Sequence, residues 1–406
     1  MAGTSRKKSQ RIEVEVFPAR IGDSILLRCI SDSGTVNMLV DGGVKRTYED
    51  HLATRLKELA DAGEALDLLI VTHIDTDHIG GALEILKANG NAAAPQLIPI
   101  DDIWHNGYRH LGLKGREPTD KEKQSVLSQL SGVMDEEDEE HDISFREADS
   151  LAELIVNGGY KWNHAFDGGA VLAGATYSKG SDLNLIVLSP TPSQLDQLAY
   201  AWKRELLKMG VAFEAVNAPE FAKAFELAMQ AEDDLSVDEE NISSALPDVP
   251  PDPSTFAEDQ SDTNGSSIAF LLIFHNLRIL MLADAWPSVV CQEAKRLFGP
   301  NFKDHVNLLK VSHHSSKNNS SPELLSLFSS DFYVVSTNGA KNGHPHSEAI
   351  LWAITSGQHQ KKLIFNYPSA TSSHIASDKL TAMYGHEVQV GNGEASIIIE
   401  IHQGDC

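Results

Sequence analysis

The sequence has 406 residues, a formal net charge of -25 and a pI near 5.0. A chain of this length can bury a substantial core, and its charge argues against a protein that grips nucleic acid over a broad basic surface. The charge is concentrated, however. Residues 135–150 hold nine carboxylates against Arg146 and residues 231–262 hold eleven with no cation, so the remainder carries only about -6 and a phosphate-bearing substrate stays admissible. Cys29, Cys291 and Cys406 lack the spacing of a disulfide framework or a thiolate metal site, which predicts a reducing, cytoplasmic setting. No run reaches the roughly 18 apolar residues of a membrane span.

Residues 1–10, rich in serine and lysine, read as a disordered lead-in, and residues 11–406 as one domain. Ile12, Val14 and Val16 alternate with Glu13 and Glu15 as in a half-buried strand, and "DSILLRCI" and "NMLV" continue a β-meander that ends in the turn "VDGG", Asp41 to Gly43. Leu52, Leu56 and Leu59 then fall at helical spacing, and "LDLLIVTH" reads as a buried strand. From about 101 to 263 the pattern loosens into inserted segments. These contain a strand, "LNLIVLSP", a helix near 193–209, the two acidic stretches and the Pro-rich "LPDVPPDPS", whose acidic and Pro-rich portions predict solvated, partly disordered chain. Regular structure resumes at "SSIAFLLIFHNLRILMLADAW", followed by a helix over "CQEAKRLF", the strand "NLLKVSHHSS", a helix over "PELLSLF", the strand "DFYVVST" and the loop "NGAKNGHPHSEA".

The chemistry concentrates where strands end. "THIDTDHIGG" places His73, Asp75, Asp77 and His78 within six residues directly after a strand, and three later strands end in Asp284, in His313 and His314, and in the loop with His344 and His346. Imidazole and carboxylate together suit zinc, manganese or iron better than an all-oxygen calcium or magnesium shell. A local cluster alone also fits helix capping, with Asp77 as an N-cap. Repetition of His and Asp at successive strand ends favours one composite metal site.

In the order of its "DGG" turn, its His/Asp cluster followed by Gly80 and Gly81, its "ADA" aspartate and its late histidines, the sequence resembles the metallo-β-lactamase superfamily from about Ile12 to Trp352. The motifs "THIDTDHIGG", "LMLADA", "KVSHHSS" and "NGHPH" are most similar to the branch that includes the C-terminal hydrolase domain of the DNA-uptake channel ComEC. The resemblance implies a four-layer αββα sandwich binding one or two divalent ions, zinc or manganese. It implies His73 as a first-metal ligand, Asp77 and His78 as second-metal ligands, Asp284 as the bridge and His344, with His346 as the alternative, as the last ligand. Asp75 stands where the family has histidine, and the family's third first-site ligand is missing, leaving His105 or His164 as substitutes or no ligand there. The "HHSS" pair resembles a proton donor of nuclease and phosphodiesterase members, with His314 favoured over His313, and Lys310 and Lys317 are placed to meet phosphate.

The expected function is therefore hydrolysis of a phosphodiester, in a nucleic acid or nucleotide, by a metal-activated water that loses its proton to Asp77 or Asp75. Hydrolysis of a thioester, lactone or lactam by the same fold is the alternative, as is a degenerate, non-catalytic metal-binding protein whose acidic segments recruit a protein partner.

Overall fold

The computed structural model describes residues 10–134, 150–235, 246–357 and 360–403. Two sheets face each other. The smaller contains β1 (Arg11–Val16), β2 (Ile25–Ser31), β3 (Gly34–Val40), β4 (Leu68–Ile70) and β5 (Ile103–Trp104); the larger contains β6 (Thr176–Lys179), β7 (Leu183–Ser189), β8 (Ala269–Phe274), β9 (Leu277–Met281), β10 (Asp304–Lys310), β11 (Phe328–Val335), β12 (Lys362–Phe365) and β13 (Glu387–Val390). The final strand, β14 (Ile397–His402), returns to the smaller sheet, giving the orders β14-β1-β2-β3-β4-β5 and β13-β12-β11-β10-β9-β8-β7-β6.

Alternation along the strands builds the layers. Ile12, Val14, Leu27, Leu185, Phe270, Ile279, Leu308 and Val334 fill the space between the sheets. Their neighbours in sequence face outward: Leu309 and Val335 pack against the helices Pro287–Phe298, Pro322–Leu327 and Ser347–Thr355. On the other side, Leu26, Leu39 and Leu69 pack against the helices Ala53–Asp61, Thr76–Asn89 and Leu151–Asn157. Each fully buried aliphatic side chain contributes about 1.5–3 kcal/mol, so slipping a strand by one residue, which exchanges its two faces, is strongly disfavoured. The result is the expected αββα sandwich, with β5, β6, β12, β13 and β14 extending both sheets beyond the expected strands.

The insertion contributes its own packing unit. Helices Asp120–Met134, Pro192–Lys208 and Phe221–Leu235 enclose a cluster built on Trp202, Tyr108 and Phe225, and Ile74 of the His/Asp motif packs into the same cluster. Of the segments expected to be disordered, residues 1–9, 135–149 and 236–245 lie outside the described residues. The Pro-rich segment is a correction: 246–255 lies against the domain because its carbonyls find donors there. Pro247 O, Asp248 O and Pro251 O accept hydrogen bonds from His374 Nε2 (2.9 Å), Tyr384 Oη (2.9 Å) and Trp352 Nε1 (3.1 Å). No helix is long and apolar enough to cross a membrane among the described residues.

Candidate metal centre

The parallel pairing of β3 with β4 and of β9, β10, β11 and β12 with one another brings their C-terminal ends to one edge of the sandwich. Asp41 follows β3, the His/Asp cluster follows β4, Asp284 follows β9, His313 and His314 follow β10, and the loop with His344 follows β11.

Helix Thr76–Asn89 begins inside the cluster, yet capping does not use its carboxylates. The N-cap is Asp75, whose side chain makes no capping bond; Asp75 Oδ2 accepts from Thr263 Oγ1 at 3.2 Å, while Oδ1 is buried without a hydrogen-bond partner. Glycine permits the approach of this helix to the "VDGG" turn. A Cβ on Gly81 would lie 2.0 Å from Gly42 O, and one on Gly42 would lie 2.2 Å from Ala82 N. With no side chains between them, Gly42 N donates to His78 O at 2.9 Å and Gly81 N to Gly43 O at 2.8 Å, which locks the cluster against the turn.

Asp284 occupies the centre. Its Oδ2 lies 3.4 Å from His78 Nε2, 3.7 Å from His313 Nε2, 3.8 Å from His314 Nε2 and 3.9 Å from His73 Nε2. Ligand atoms of His73, His78 and Asp284 fall within 4.8 Å of one another, and so do those of Asp77, His78 and His314. His73 Nε2, His78 Nε2, Asp75 Oδ1 and Asp284 Oδ1 are all buried with no hydrogen-bond partner. Buried polar atoms left unpaired carry a desolvation penalty of about 1–3 kcal/mol each. Unpaired imidazole and carboxylate atoms of His73, His78 and Asp284 that lie this close together are donors a divalent cation satisfies, so the residues fit the metal.

The charges agree. Burial penalises a charged His78, yet the carboxylates of Asp284, Asp77 and Asp41 outweigh it and hold its pKa well above the ordinary value. Burial likewise opposes protonation of His314, but Asp23 and Asp284 raise it to about 10. Asp284 moves the opposite way: burial favours its neutral form, and His78, His313 and His314 pull it well below the carboxylate range. His344 is pushed well down by burial and by the neighbouring imidazoles of His313, His346 and His314, which leaves it neutral and fit to donate a lone pair.

Residues that the sequence reading missed hold these groups in place. Asp41 Oδ2 accepts from His78 Nδ1 and from Thr72 Oγ1, both at 2.8 Å, and Asp41 Oδ1 accepts from Thr72 N at 2.8 Å. His314 Nδ1 donates to Ser336 O at 2.8 Å and lies 3.5 Å from Asp23 Oδ1, so its Nε2 faces Asp77 Oδ2 at 3.1 Å. His313 Nδ1 donates to Asn319 Oδ1 at 2.9 Å, and Asn319 Nδ2 in turn donates to Asp259 at 2.9 Å. The signal for Asp41 was present, an aspartate at a strand end on the same edge. Asp23 and Asp259 sit in loops that no local pattern links to the cluster.

His313, His314 and Ser315 form three successive non-glycine residues at positive φ (45°, 52° and 70°), and Asp41 and Ala283 add two more beside the site at 59° and 46°. Such conformations cost on the order of 1–3 kcal/mol each and persist where surrounding structure over-determines them, typically at functional sites.

The other sequence-named residues separate clearly. His344 lines the central cavity with Asp75, Asp77, Asp284, His313 and His314. His346 is turned away, its Nδ1 accepting from Lys317 N at 3.2 Å. His105 is buried with Nδ1 on Val71 O at 3.2 Å and burial lowers its pKa to about 3, but its ring nitrogens are not among the converging ligand atoms. His164 is exposed, and its backbone N donates to Asp102. Lys310 corrects the sequence reading: it does not face solvent to meet phosphate but is fully buried, its ammonium 2.5 Å from Asp23. An uncompensated carboxylate at that depth would be costly, which explains a lysine at the inner end of β10. Lys317 lies outside the cavity lining.

Residues 18–146 match the profile of the Metallo-beta-lactamase superfamily. No curated protein matches the chain. The solved structures that it matches include a protein of Parabacteroides distasonis ATCC 8503 titled a metal-dependent hydrolase (11% identity, 96% of this chain and 99% of that one, TM-score 0.34) and CmlA, a diiron beta-hydroxylase from Streptomyces venezuelae (12% identity, 97% of this chain and 55% of that one, TM-score 0.39). A mutant form of the CmlA beta-hydroxylase gives 12% identity over 98% of this chain and 54% of that one, with a TM-score of 0.37. The chain thus spans about half the length of CmlA. The two groups of close ligand atoms combine Asp77 and Asp284 with His73, His78 and His314, a mixture of hard oxygen and imidazole donors.

Proposed function

We propose that the chain is a metal-dependent hydrolase of phosphodiester bonds, of the branch resembling the ComEC hydrolase domain. The observation that carries this reading is His314 beside a carboxylate-rich donor set: its Nδ1 is tied to Ser336 O, so its Nε2 is the nitrogen that faces the cavity. His73, Asp75, Asp77, His78, Asp284 and His344 would hold one or two ions. When bound, divalent ions supply Lewis-acid polarisation of a phosphoryl oxygen and a water nucleophile at neutral pH. The chain's own groups do the rest. Asp75, its Oδ2 fixed by Thr263, or Asp77 accepts a proton from the attacking water, and His314 Nε2–H gives one to the leaving oxygen. The burial of these groups keeps bulk water out and strengthens each electrostatic contact. Zinc or manganese suits this set of donors.

The test is elemental analysis of the purified protein, followed by assays of bis(p-nitrophenyl) phosphate, single-stranded DNA, a thioester, a lactone and a lactam across zinc, manganese, cobalt and magnesium. Metal-dependent cleavage of the diester, abolished by Asp77→Ala in a folded protein, is expected. Cleavage confined to the acyl substrates would transfer the assignment to them, and a folded, metal-loaded protein inert on every substrate would make it a binding protein.

A further inference from the structure

His313 and His314 stand side by side in the turn after β10, and the sequence pairs them as one proton-donor motif. Their surroundings differ. His314 Nε2 meets Asp77 Oδ2 at 3.1 Å, a hydrogen bond that needs a proton on that nitrogen. His313 Nε2 lies 3.7 Å from Asp284 Oδ2, which is beyond hydrogen-bond reach. The other ring nitrogen of His313 shows why. Asn319, fully buried, turns its Nδ2 toward two acceptors, Asp259 Oδ2 at 2.9 Å and Asp284 O at 3.1 Å. An amide with two acceptors at one end presents its oxygen at the other, so Asn319 Oδ1 accepts from His313 Nδ1 at 2.9 Å and the ring proton sits on Nδ1. Asp259 is itself fixed: its Oδ2 also accepts from Asn264 Nδ2 at 2.7 Å, its Oδ1 accepts from Ser261 N at 2.9 Å, and its backbone N donates to Asn318 O at 3.1 Å.

The relay leaves a neutral His313 with its lone pair on Nε2, the nitrogen beside Asp284, and the ring lines the central cavity with Asp284 and His344. A lone pair and a carboxylate oxygen at this separation gain nothing from each other directly, but one ion can stand about 2.0–2.2 Å from both at once. His313 is outside the two groups whose ligand atoms all fall within 4.8 Å of one another, and joins them through Asp284. We infer that His313 is a metal ligand, additional to those that the family resemblance implies, and that Asp259 and Asn319 are the positioning residues that turn its Nε2 lone pair to the ion. A hydrogen-bond partner on the far nitrogen of a ligating imidazole fixes its tautomer and orientation in this way. The inference rests on the metal-binding reading of the centre and is independent of the bond it cleaves. The turn that holds Asp259 also carries Thr263, whose Oγ1 donates to Asp75 Oδ2 at 3.2 Å, so one short segment braces donors on two sides of the cavity.

The experiment is NMR of the full chain with isotope-labelled histidine, the His313 signals being those that His313→Gln removes. Two-bond proton–nitrogen correlations in the metal-free protein report which nitrogen of the neutral ring carries the proton. Loading with NMR-active cadmium gives a scalar coupling only to rings that bind the ion. Expected are the Nδ1-protonated form of His313 and a cadmium coupling to its Nε2. Asp259→Ala and Asn319→Ala should divide His313 between its two tautomers and lower cadmium affinity about 10–100-fold, with a larger loss in His313→Gln. Asp259→Asn, whose side-chain oxygen can still accept from Asn319, keeps most of the affinity. An Nε2-protonated neutral ring overturns the inference, and so does a loaded protein with no coupling to His313 and undiminished affinity in His313→Gln. Where a variant fails to fold, the tautomer and the coupling in wild type decide alone. A chain that binds no cadmium, zinc or manganese removes the metal reading and this one together, whereas binding through the other ligands without His313 removes only this one.

Discussion

Asp41 Oδ2 and His78 Nδ1 lie 2.8 Å apart, both fully buried, and this bond directs His78 Nε2 toward Asp284. A carboxylate behind a ligating imidazole fixes the tautomer and raises its basicity, and removing such a partner typically costs about 10–100-fold in metal affinity. Asp41→Asn is the informative change, because asparagine also tolerates the φ of 59° at this position. Competition with a chromogenic chelator should show the affinity falling within that range; a value within twofold of wild type would mean that the hydrogen bond does not orient the ligand.

His314 separates proton donation from metal ligation. Its Nε2 is close enough to Asp77 and His78 to be counted with either role. For a proton donor, His314→Ala should keep its metal while kcat falls about 10²- to 10⁴-fold, and the alkaline limb of the pH–rate profile should disappear. His344→Ala should instead lose metal. Loss of metal from His314→Ala would reassign His314 as a ligand.

How much of this site could be read from the chain alone depended on where each residue's partners lie. His73, Asp77, His78, Asp284 and His344 were legible because each sits where an apolar run stops, and parallel neighbours in a sheet stop at the same edge. The fold was legible for a related reason: the alternation of Ile12, Val14 and Val16 and the solid run of β8 already distinguish a half-covered strand from one buried on both faces. Asp23 and Asp259 escaped notice because their partners, His314 and Asn319, are 291 and 60 residues away and nothing local marks either aspartate. Lys310 was misread because one lysine at the end of a strand looks the same in sequence whether it reaches water or a buried carboxylate. The Trp202 cluster was hidden by acidic neighbours, which lower the average hydrophobicity of a region whose helices nonetheless bury one face.

Metal uptake should release protons. In the metal-free protein, the pKa of His73 is raised, burial and His78 being outweighed by Asp75 and Asp284, and that of His78 stands higher still. Ligands must be deprotonated to bind, so affinity should rise with pH through the neutral range. Calorimetry in two buffers of different ionisation enthalpy gives the proton count; a buffer-independent heat at pH 7 would contradict these shifts.

Stability of the chelated protein should depend on pH with a definite sign. His314 is raised from 6.5 to about 10, so its stabilising pairs with Asp23 and Asp77 are fully present below pH 6.5 and fade as pH rises toward 10. Asp23 behaves oppositely: burial opposes its charge, but Lys310 and His314 lower it from 3.8 to about 2, so its contribution holds above pH 3.8 and is lost as pH falls through 2. The melting temperature in excess chelator should therefore be lower at pH 10 than at pH 7. A flat profile over that interval would remove the charge assignment for His314.

The Asp23–Lys310 pair gives a test independent of metal. Lys310→Met leaves Asp23 buried with His314 as its remaining cationic partner, and breaking a fully buried pair typically costs about 3–5 kcal/mol, so a loss of up to that size is expected. Urea unfolding of the chelated variant measures it. The double change Asp23→Leu with Lys310→Met should recover much of the loss while leaving His314 without its carboxylate, so stability returns and activity does not.

His314 meets Asp77 across 237 residues of sequence, and Thr263 meets Asp75 across 188. Closing loops of that length is slow and entropically expensive, and the chain recovers that expense only when both sheets have docked. An ion gripped by both sides then acts as a clasp on the closed sandwich. Loading should slow unfolding much more than it hastens folding, so the metalled protein's resistance to proteolysis would be a matter of lifetime, set by how often the two halves part.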